Sequence, residues 1–293
     1  MTKSLCIFLS SVIFLSCNKV SPRFELLSSN ETGINFNNEI LETDSFNIMR
    51  NEYMYNGGGV GIADINNDGL QDIILVGNKV STRVYLNKGN LSFQDVTHNF
   101  EGLTNDQWLS GVSVTDINAD SWVDLYFTST MSKDSLKRTN RLWVNQGLAA
   151  DSLPHFREMA ENFGVDNKGY SMHSAFFDYD LDGDLDLYVL NNIVNSQVPT
   201  NYRQKIIDGS SINNDRLYQN QGDGSFKDVT REAGILYEGF GLGLAIGDIN
   251  KDGYPDIYVS NDYISNDLFY INQRNGTFKN SSVDFLSYQS KFS

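Results

Sequence analysis

Four times along the chain a run of small and apolar residues gives way to a dense acidic stretch and then to a second, strongly apolar run. The entering runs are GGGVGIAD, GVSVTD, HSAFFD and GLGLAIGD, and the leaving runs are IILVG, LYFTS, LYVLN and IYVSN. Short leaving runs rich in Ile, Leu, Val and Tyr predict buried β-strands. The small residues of the entering runs predict strands packed closely on neighbours near an axis. Each copy then carries RVYLNKGNLSFQDVT, RLWVNQG with HFREMA, RLYQNQGDGSFKDVT or LFYINQRNGTFKNSS. This pattern predicts two short strands joined by an Asn/Gly turn, with Asn87, Asn145, Asn220 and Asn272 in register. The Asn-to-Phe distance is six residues in three copies and eleven in the second, which inserts around LAADSLP.

The unit is therefore four strands long, and its acidic loops recur after 52, 62 and 70 residues. That spacing suits four-stranded antiparallel blades with loop insertions around an axis, whereas the rungs of a parallel β-helix are shorter. The expected fold class is all-β, a β-propeller with about four blades present. The excess length lies in connections, and the longest, Val194 to Asp215, is the preferred specificity loop. Residues 24–56 lack clean periodicity and read as strand fragments and a turn. The GGGVG run enters a strand rather than opening a helix, which excludes a dinucleotide-binding loop.

The acidic stretches share one nine-residue spacing: DINNDGLQD (64–72), DINADSWVD (116–124), DYDLDGDLD (178–186) and DINKDGYPD (248–256). Crowded carboxylates repel unless a cation sits among them, and oxygen ligands at alternate positions suit a hard ion such as Ca²⁺. The expected ligands are Asp64, Asn66, Asp68, the main-chain carbonyl of Leu70, and Asp72 in the first copy. In the second they are Asp116, Asn118, Asp120, Trp122 and Asp124; in the third Asp178, Asp180, Asp182, Asp184 and Asp186. The fourth offers Asp248, Asn250, Asp252, Tyr254 and Asp256. Position 6 is Gly in three copies and Ser121 in the second, where the chain must turn sharply. An EF-hand needs a Glu at position 12 and flanking helices, but position 12 holds Leu75, Phe127, Val189 and Val259, inside the next strand. The third loop has the most carboxylates and is expected to bind tightest; the second, with Ser121, is expected to bind weakest.

Charge changes the picture only once the loops are counted. The chain of 293 residues has a formal charge of −15, which argues against nucleic acid as a partner. Thirteen Asp at ligand positions account for most of it, and four Ca²⁺ would bring −15 to −7. The acidity belongs to the loops rather than to a partner.

The first residues, MTKSLCIFLSSVIFLSC, have a Lys, a short apolar run and a small residue before Cys17, and read as a secretion signal (1–16). FLSC resembles the cleavage box of bacterial lipoproteins. Cys17 would then carry the lipid, residues 17–23 would form a linker, and 24–293 the repeats. The alternative is plain cleavage and free secretion. Cys6 would leave with the signal, so the mature chain would have no disulfide and metal would supply its cross-links.

The loops, each entered by a small-residue strand and followed by the hairpin, resemble the FG-GAP or VCBS repeats known from integrin alpha chains. The phrases TGINFNNE, YNGGGVGIADINNDG, FFDYDLDGDLDLYVLN and GLGLAIGDINKDGYPDIYVSND resemble bacterial VCBS-repeat lipoproteins associated with an ASPIC/UnbV region. The resemblance implies a calcium-loaded β-propeller of usually seven blades outside the cytoplasm, and structural Ca²⁺ on the loop acids. It also carries the expectation that these four units belong to a longer ring.

Catalytic constellations are sparse. His98, His155 and His173 are far apart, with His173 expected to be packed in an apolar strand, and neither a nucleophile elbow nor a P-loop is present. The first functional expectation is a surface module for a glycan or protein partner in a bacterial envelope, bound to the membrane only through its lipid. A carbohydrate-active lyase or hydrolase is second and a structural spacer third. A carboxylate outside the loops with a raised pKa, in a cleft beside aromatics, would favour the enzyme.

Overall fold

The computed structural model describes residues 24–100, 102–103, 107–193, 204–262 and 265–285. The expected signal, Cys17 and residues 194–203 of the expected specificity loop lie outside them. Four antiparallel sheets of four strands each follow one another along the chain, with strands adjacent in sequence order. The first holds β1 (Val60–Ala63), β2 (Asp72–Leu75), β3 (Arg83–Asn87) and β4 (Phe93–Asp95). The second holds β5 (Trp108–Thr115), β6 (Asp124–Thr130), β7 (Arg141–Leu148) and β8 (Pro154–Glu158). The third holds β9 (Ser171–Phe177), β10 (Asp186–Asn191), β11 (Arg216–Asn220) and β12 (Phe226–Asp228), and the fourth β13 (Gly241–Gly247), β14 (Asp256–Asn261), β15 (Leu268–Asn272) and β16 (Phe278–Asn280). The architecture is all-β, with blades of propeller type.

The second strands read as unbroken apolar runs because both of their faces are covered. On β6, Leu125 and Phe127 join Ile74, Val84 and Leu86 of the first sheet, while Tyr126 faces the third. On β10, Leu187 and Val189 pack with Leu142 and Val144, while Tyr188 and Leu190 pack with Ile257, Val259 and Tyr270. Alternate side chains thus feed two different cores, and each core is the seam between consecutive blades.

The entering strands are innermost: β1 touches β5, β5 touches β9 and β9 touches β13. Their small residues are required by the spacing. A Cβ on Gly59 would lie 2.8 Å from the Val112 nitrogen, and one on Gly61 would lie 2.9 Å from Val114 Cγ1. The glycine run therefore serves close strand packing. Serine hydroxyls knit the same seam, with Ser110 Oγ donating to the Ser171 carbonyl (2.7 Å) and Ser113 Oγ to that of Ser174 (2.8 Å).

Two expectations are corrected. Residues 24–56 contain no strand among the described residues; they form one short helix, α1 (Ser29–Thr32), closed by a Ser28/Glu31 capping box, and then turns. Several of their amides bond locally, as Phe46 N–H does to Thr43 Oγ1, while Asn35 N–H reaches Tyr85 Oη at 3.3 Å, and among the described residues no sheet edge pairs with them. His173 is not packed in the core: it is exposed and lines an axial cavity of ≈ 400 Å³ with Gly57, Gly58, Gly59, Ser110 and Leu242. Even so, partial removal from water lowers its pKa.

Candidate metal centre

Each acidic loop connects the first strand of its sheet to the second, and position 9 is the first residue of that second strand. The loop is wound by its own amides. In the first copy the N–H groups of Asp68 and Gly69 donate to the two oxygens of Asp64 at 3.1 and 2.7 Å, and Leu70 N–H donates to Asp68 Oδ1 at 2.9 Å. The other three copies repeat this pattern. The N–H groups of position 7, at Leu70, Trp122, Asp184 and Tyr254, therefore all serve position 5. Such winding turns the chain twice into the left-handed region. Position 6 has φ of 84° at Gly69, 72° at Ser121, 100° at Gly183 and 91° at Gly253. Position 4 is left-handed as well, at Asn67, Ala119, Leu181 and Lys251, a feature that residue type did not signal.

Position 9 has a structural duty in all four copies. Asp72, Asp124, Asp186 and Asp256 are essentially inaccessible. One oxygen of each accepts the position-2 N–H (Ile65, Ile117, Tyr179, Ile249), and the other accepts the N–H of the hairpin Asn (Asn87, Asn145, Asn220, Asn272), all at 2.7–3.1 Å. Burial pushes Asp72 up to about 6 and Asp124 and Asp186 up to about 7, against the lowering effect of those two amides. The hairpin Asn, read from sequence as a turn residue, is a tie. Asn145 Nδ2 reaches the Ile65 carbonyl of the preceding blade at 2.9 Å, and Asn272 Nδ2 reaches that of Tyr179 at 2.7 Å.

The third loop has the arrangement closest to a cation cage. Asp178, Asp180 and Asp186 each place a carboxylate oxygen within 4.8 Å of the others. Asp180 Oδ2 accepts Gln219 Nε2 at 2.7 Å, whereas its Oδ1 is buried without a hydrogen-bond partner. Burial, then the charges of Asp182 and Asp178, raise the pKa of Asp180 in spite of the Gln219 bond. A buried carboxylate oxygen facing like charge fits a hard divalent ion. In the other copies position 3 is an amide whose Nδ2 donates to position 5, as Asn66 and Asn118 do at 3.0 Å.

At the fourth loop Arg274 Nε lies 3.0 Å from Asp252 Oδ2. The slight burial of Asp252 would raise its pKa, but the Tyr254 amide, the Arg274 guanidinium and the Asn250 amide outweigh it and hold the carboxyl below its ordinary range.

The tryptophans separate. Trp108 and Trp143 are buried, whereas Trp122 is half-buried against Gly147, whose added Cβ would lie 3.3 Å from the ring. One carboxylate outside the loops has a strongly raised pKa: burial pushes Asp215 up to about 7. Asp215 is buried. It accepts Tyr188 Oη (2.7 Å) and Asn191 N–H (2.9 Å), as Asp267 accepts Tyr258 Oη (2.6 Å) and Asn261 N–H (2.8 Å) one blade later. Sequence reasoning missed this second tie, although both Asp residues stand two before the aromatic or apolar pair LY and FY.

Among known proteins, the FG-GAP-like repeat matches residues 64–127 and 206–259, spans that take in the first, second and fourth loops with the strands following them. The chain carries FG-GAP-like repeats. Proteins similar to it include a T-cell immunomodulatory protein homolog of Plasmodium yoelii yoelii (25% identical, over 68% of this chain and 34% of the relative). Cartilage acidic protein 1 is similar as well, from Xenopus tropicalis (26% identical, 69% and 40% covered) and from Mus musculus (24%, 77% and 35%). The chain thus spans between a third and two fifths of the length of these relatives. All three are eukaryotic, and none bears out the narrower likeness to bacterial ASPIC/UnbV lipoproteins. A solved lectin of Agrocybe aegerita, described as recognising non-reducing terminal N-acetylglucosamine, matches at a TM-score of 0.43 and 17% identity, over 75% of this chain and 50% of that one. A likeness of that size transfers no ligand to the FG-GAP-like repeats described here.

Proposed function

We propose that these FG-GAP-like repeats form a calcium-holding module that displays its connecting loops to a glycan or protein partner outside the cytoplasm. The observation that carries the calcium part is Asp180 Oδ1, a buried carboxylate oxygen with no protein donor, set among Asp178 and Asp186. Asp178, Asp180, Asp182 and Asp186 would hold the ion in the third loop, with Asp64, Asn66, Asp68 and Asp72, and their counterparts in the second and fourth loops, doing so elsewhere. The ion would supply neutralising charge and a cross-link between loop and strand. The residues themselves already set the loop's winding and tie it to the hairpin.

The interaction role is supported by where the chain spends its extra length, in polar connections outside a repeated scaffold. The strongest candidate for a catalytic acid, Asp215, is committed to Tyr188 and Asn191, which removes the observation that would have favoured an enzyme. Envelope anchoring through Cys17 rests on the FLSC box alone. Among the described residues no helix is long and apolar enough to cross a membrane. The deciding experiment for the calcium reading is isothermal titration of the chelator-stripped chain with Ca²⁺, compared with Asp180→Asn. Loss of the tightest event in the variant is expected, and a wild-type chain that takes up no Ca²⁺ refutes the reading. A glycan array probed with the loaded chain then separates a glycan partner from a protein one.

A further inference from the structure

The four hairpin turns are equivalent at the residue two after the tying Asn. Gly89, Gly147, Gly222 and Arg274 each donate their N–H to the Asn Oδ1 at 2.9–3.0 Å. All four are left-handed, with φ of 81°, 80°, 71° and 61°. Glycine is at ease there and an L-residue is not, so an arginine in the fourth copy holds a conformation its side chain disfavours. What it gains is contact with the loop: Arg274 Nε donates to Asp252 Oδ2 at 3.0 Å, and Asp252 is only 10% exposed.

Asp252 is the position-5 acid of the fourth loop, and both of its oxygens are engaged. Oδ1 accepts the Tyr254 N–H and Oδ2 accepts Asn250 Nδ2, each at 3.0 Å, in addition to Arg274. At the third loop a side chain in the corresponding place would crowd an acid rather than find one to pair with, because a Cβ on Gly222 would lie 3.1 Å from Asp184 Oδ2. Formal charge follows the same division. The third loop holds five Asp between 178 and 186 and no basic residue; the fourth holds three Asp, Lys251 at position 4, and Arg274 against it, so −5 faces −3 + 2 = −1.

We propose that Arg274 is a built-in counter-ion of the fourth loop, occupying Asp252 in place of a divalent cation and making this loop the weakest of the four for calcium. The guanidinium must leave Asp252 Oδ2 before a cation can take that oxygen, and a permanent positive charge repels the incoming ion. The fourth loop is then held closed with or without calcium, while the third depends on it. This inference rests on the calcium reading above and replaces the second loop with the fourth as the weakest site.

The test is titration of the full chain with Ca²⁺ alone, for wild type, Arg274→Asn, Asp248→Asn and the double variant. Asn tolerates the left-handed turn without the charge; Arg274→Gly, the residue of the other copies, serves as a second variant if Asn impairs folding. Removing the charge is expected to tighten the weakest event by about ten-fold, the scale of one unit charge acting on a divalent ion across a few ångströms of water-like medium. Asp248→Asn is expected to remove the weakest event, and no other, from the wild-type isotherm, and to abolish the gain in the Arg274→Asn background. Identical isotherms for wild type and both Arg274 variants overturn the proposal, as does loss of a tight event from wild type on Asp248→Asn. If Asp180→Asn still loses its event in those cases, only this inference fails. If the wild-type chain binds no calcium anywhere, the underlying reading fails with it.

Discussion

The third and fourth loops have the same backbone and opposite electrostatics. Both wind their amides onto positions 1 and 5, and both hand position 9 to the hairpin through two amide bonds. In the third the acids crowd and Asp180 keeps a buried oxygen unpartnered; in the fourth, Arg274 answers Asp252. The difference teaches that the winding of the loop does not itself require a cation. What the cation would relieve is the charge left over after the winding, and that charge varies from copy to copy.

The largest effect expected from this contrast is on calcium dependence. At calcium one hundred times the dissociation constant, a site contributes about 2.7 kcal/mol. For a chain of this size that corresponds to roughly 5–10 °C in melting temperature. Asp180→Asn should lose about that much of the calcium-induced rise in a calorimetric melt, while Asp252→Asn should lose little. Equal losses would erase the distinction between the loops.

The tie at position 9 is common to both loops and should not distinguish them. In chelator, Asp186→Asn and Asp256→Asn each place an amide against two N–H donors and should cost about 1–3 kcal/mol. Denaturant titration in EDTA checks it, and a large inequality would mean that the two ties are not equivalent.

A pH series sharpens the comparison further. In the folded, calcium-free chain Asp72 titrates near 6 and Asp124 and Asp186 near 7, because burial favours their neutral form. In the unfolded chain an Asp titrates at about 3.9. Between those values the folded state holds more protons than the unfolded one, so stability is greatest below about pH 4 on this account and falls as pH rises toward 7. The melting temperature in EDTA should therefore drop between pH 5 and pH 7.5, and calcium should flatten the slope. A calcium-free chain that gains stability over that interval would contradict it.

The smallest effect concerns the second loop, which has neither a crowd of acids nor an arginine. Ser121 is left-handed at φ 72° where the other copies have Gly. Ser121→Gly should stabilise the chain by about 1 kcal/mol, the strain relieved less the added freedom of the unfolded chain. A thermal melt resolves a shift of that size.

Much of this was legible before any coordinates. The strand–loop–strand–hairpin order followed from apolar runs and acidic punctuation, and the pairing Asn145↔Phe156 holds across the eleven-residue spacing as Asn87↔Phe93 does across six. Residues 24–56 were misread because their apolar residues are scattered; without a partner strand, such a segment satisfies its amides in turns. His173 was misread because it borders the cavity lined by Gly57, Gly58, Gly59 and Leu242, and a sequence does not say which part of a strand meets water.

Local chemistry is what the sequence determined by itself. Spacing set the acidic positions of the loops, a positive-φ requirement set the glycines, and unbroken apolar runs set strands buried on two faces, since each depends on neighbours within a few residues. The tertiary structure decided the matters that depend on distance across the fold. Only the packed blades bring Asn145 to Ile65 and Asn272 to Tyr179, 80 and 93 residues away. They also bury Asp215 on Tyr188 and Asn191 and set Arg274 on Asp252, 22 residues off. Electrostatic and hydrogen-bond energies fall with distance through space, and folding rather than chain order fixes that distance.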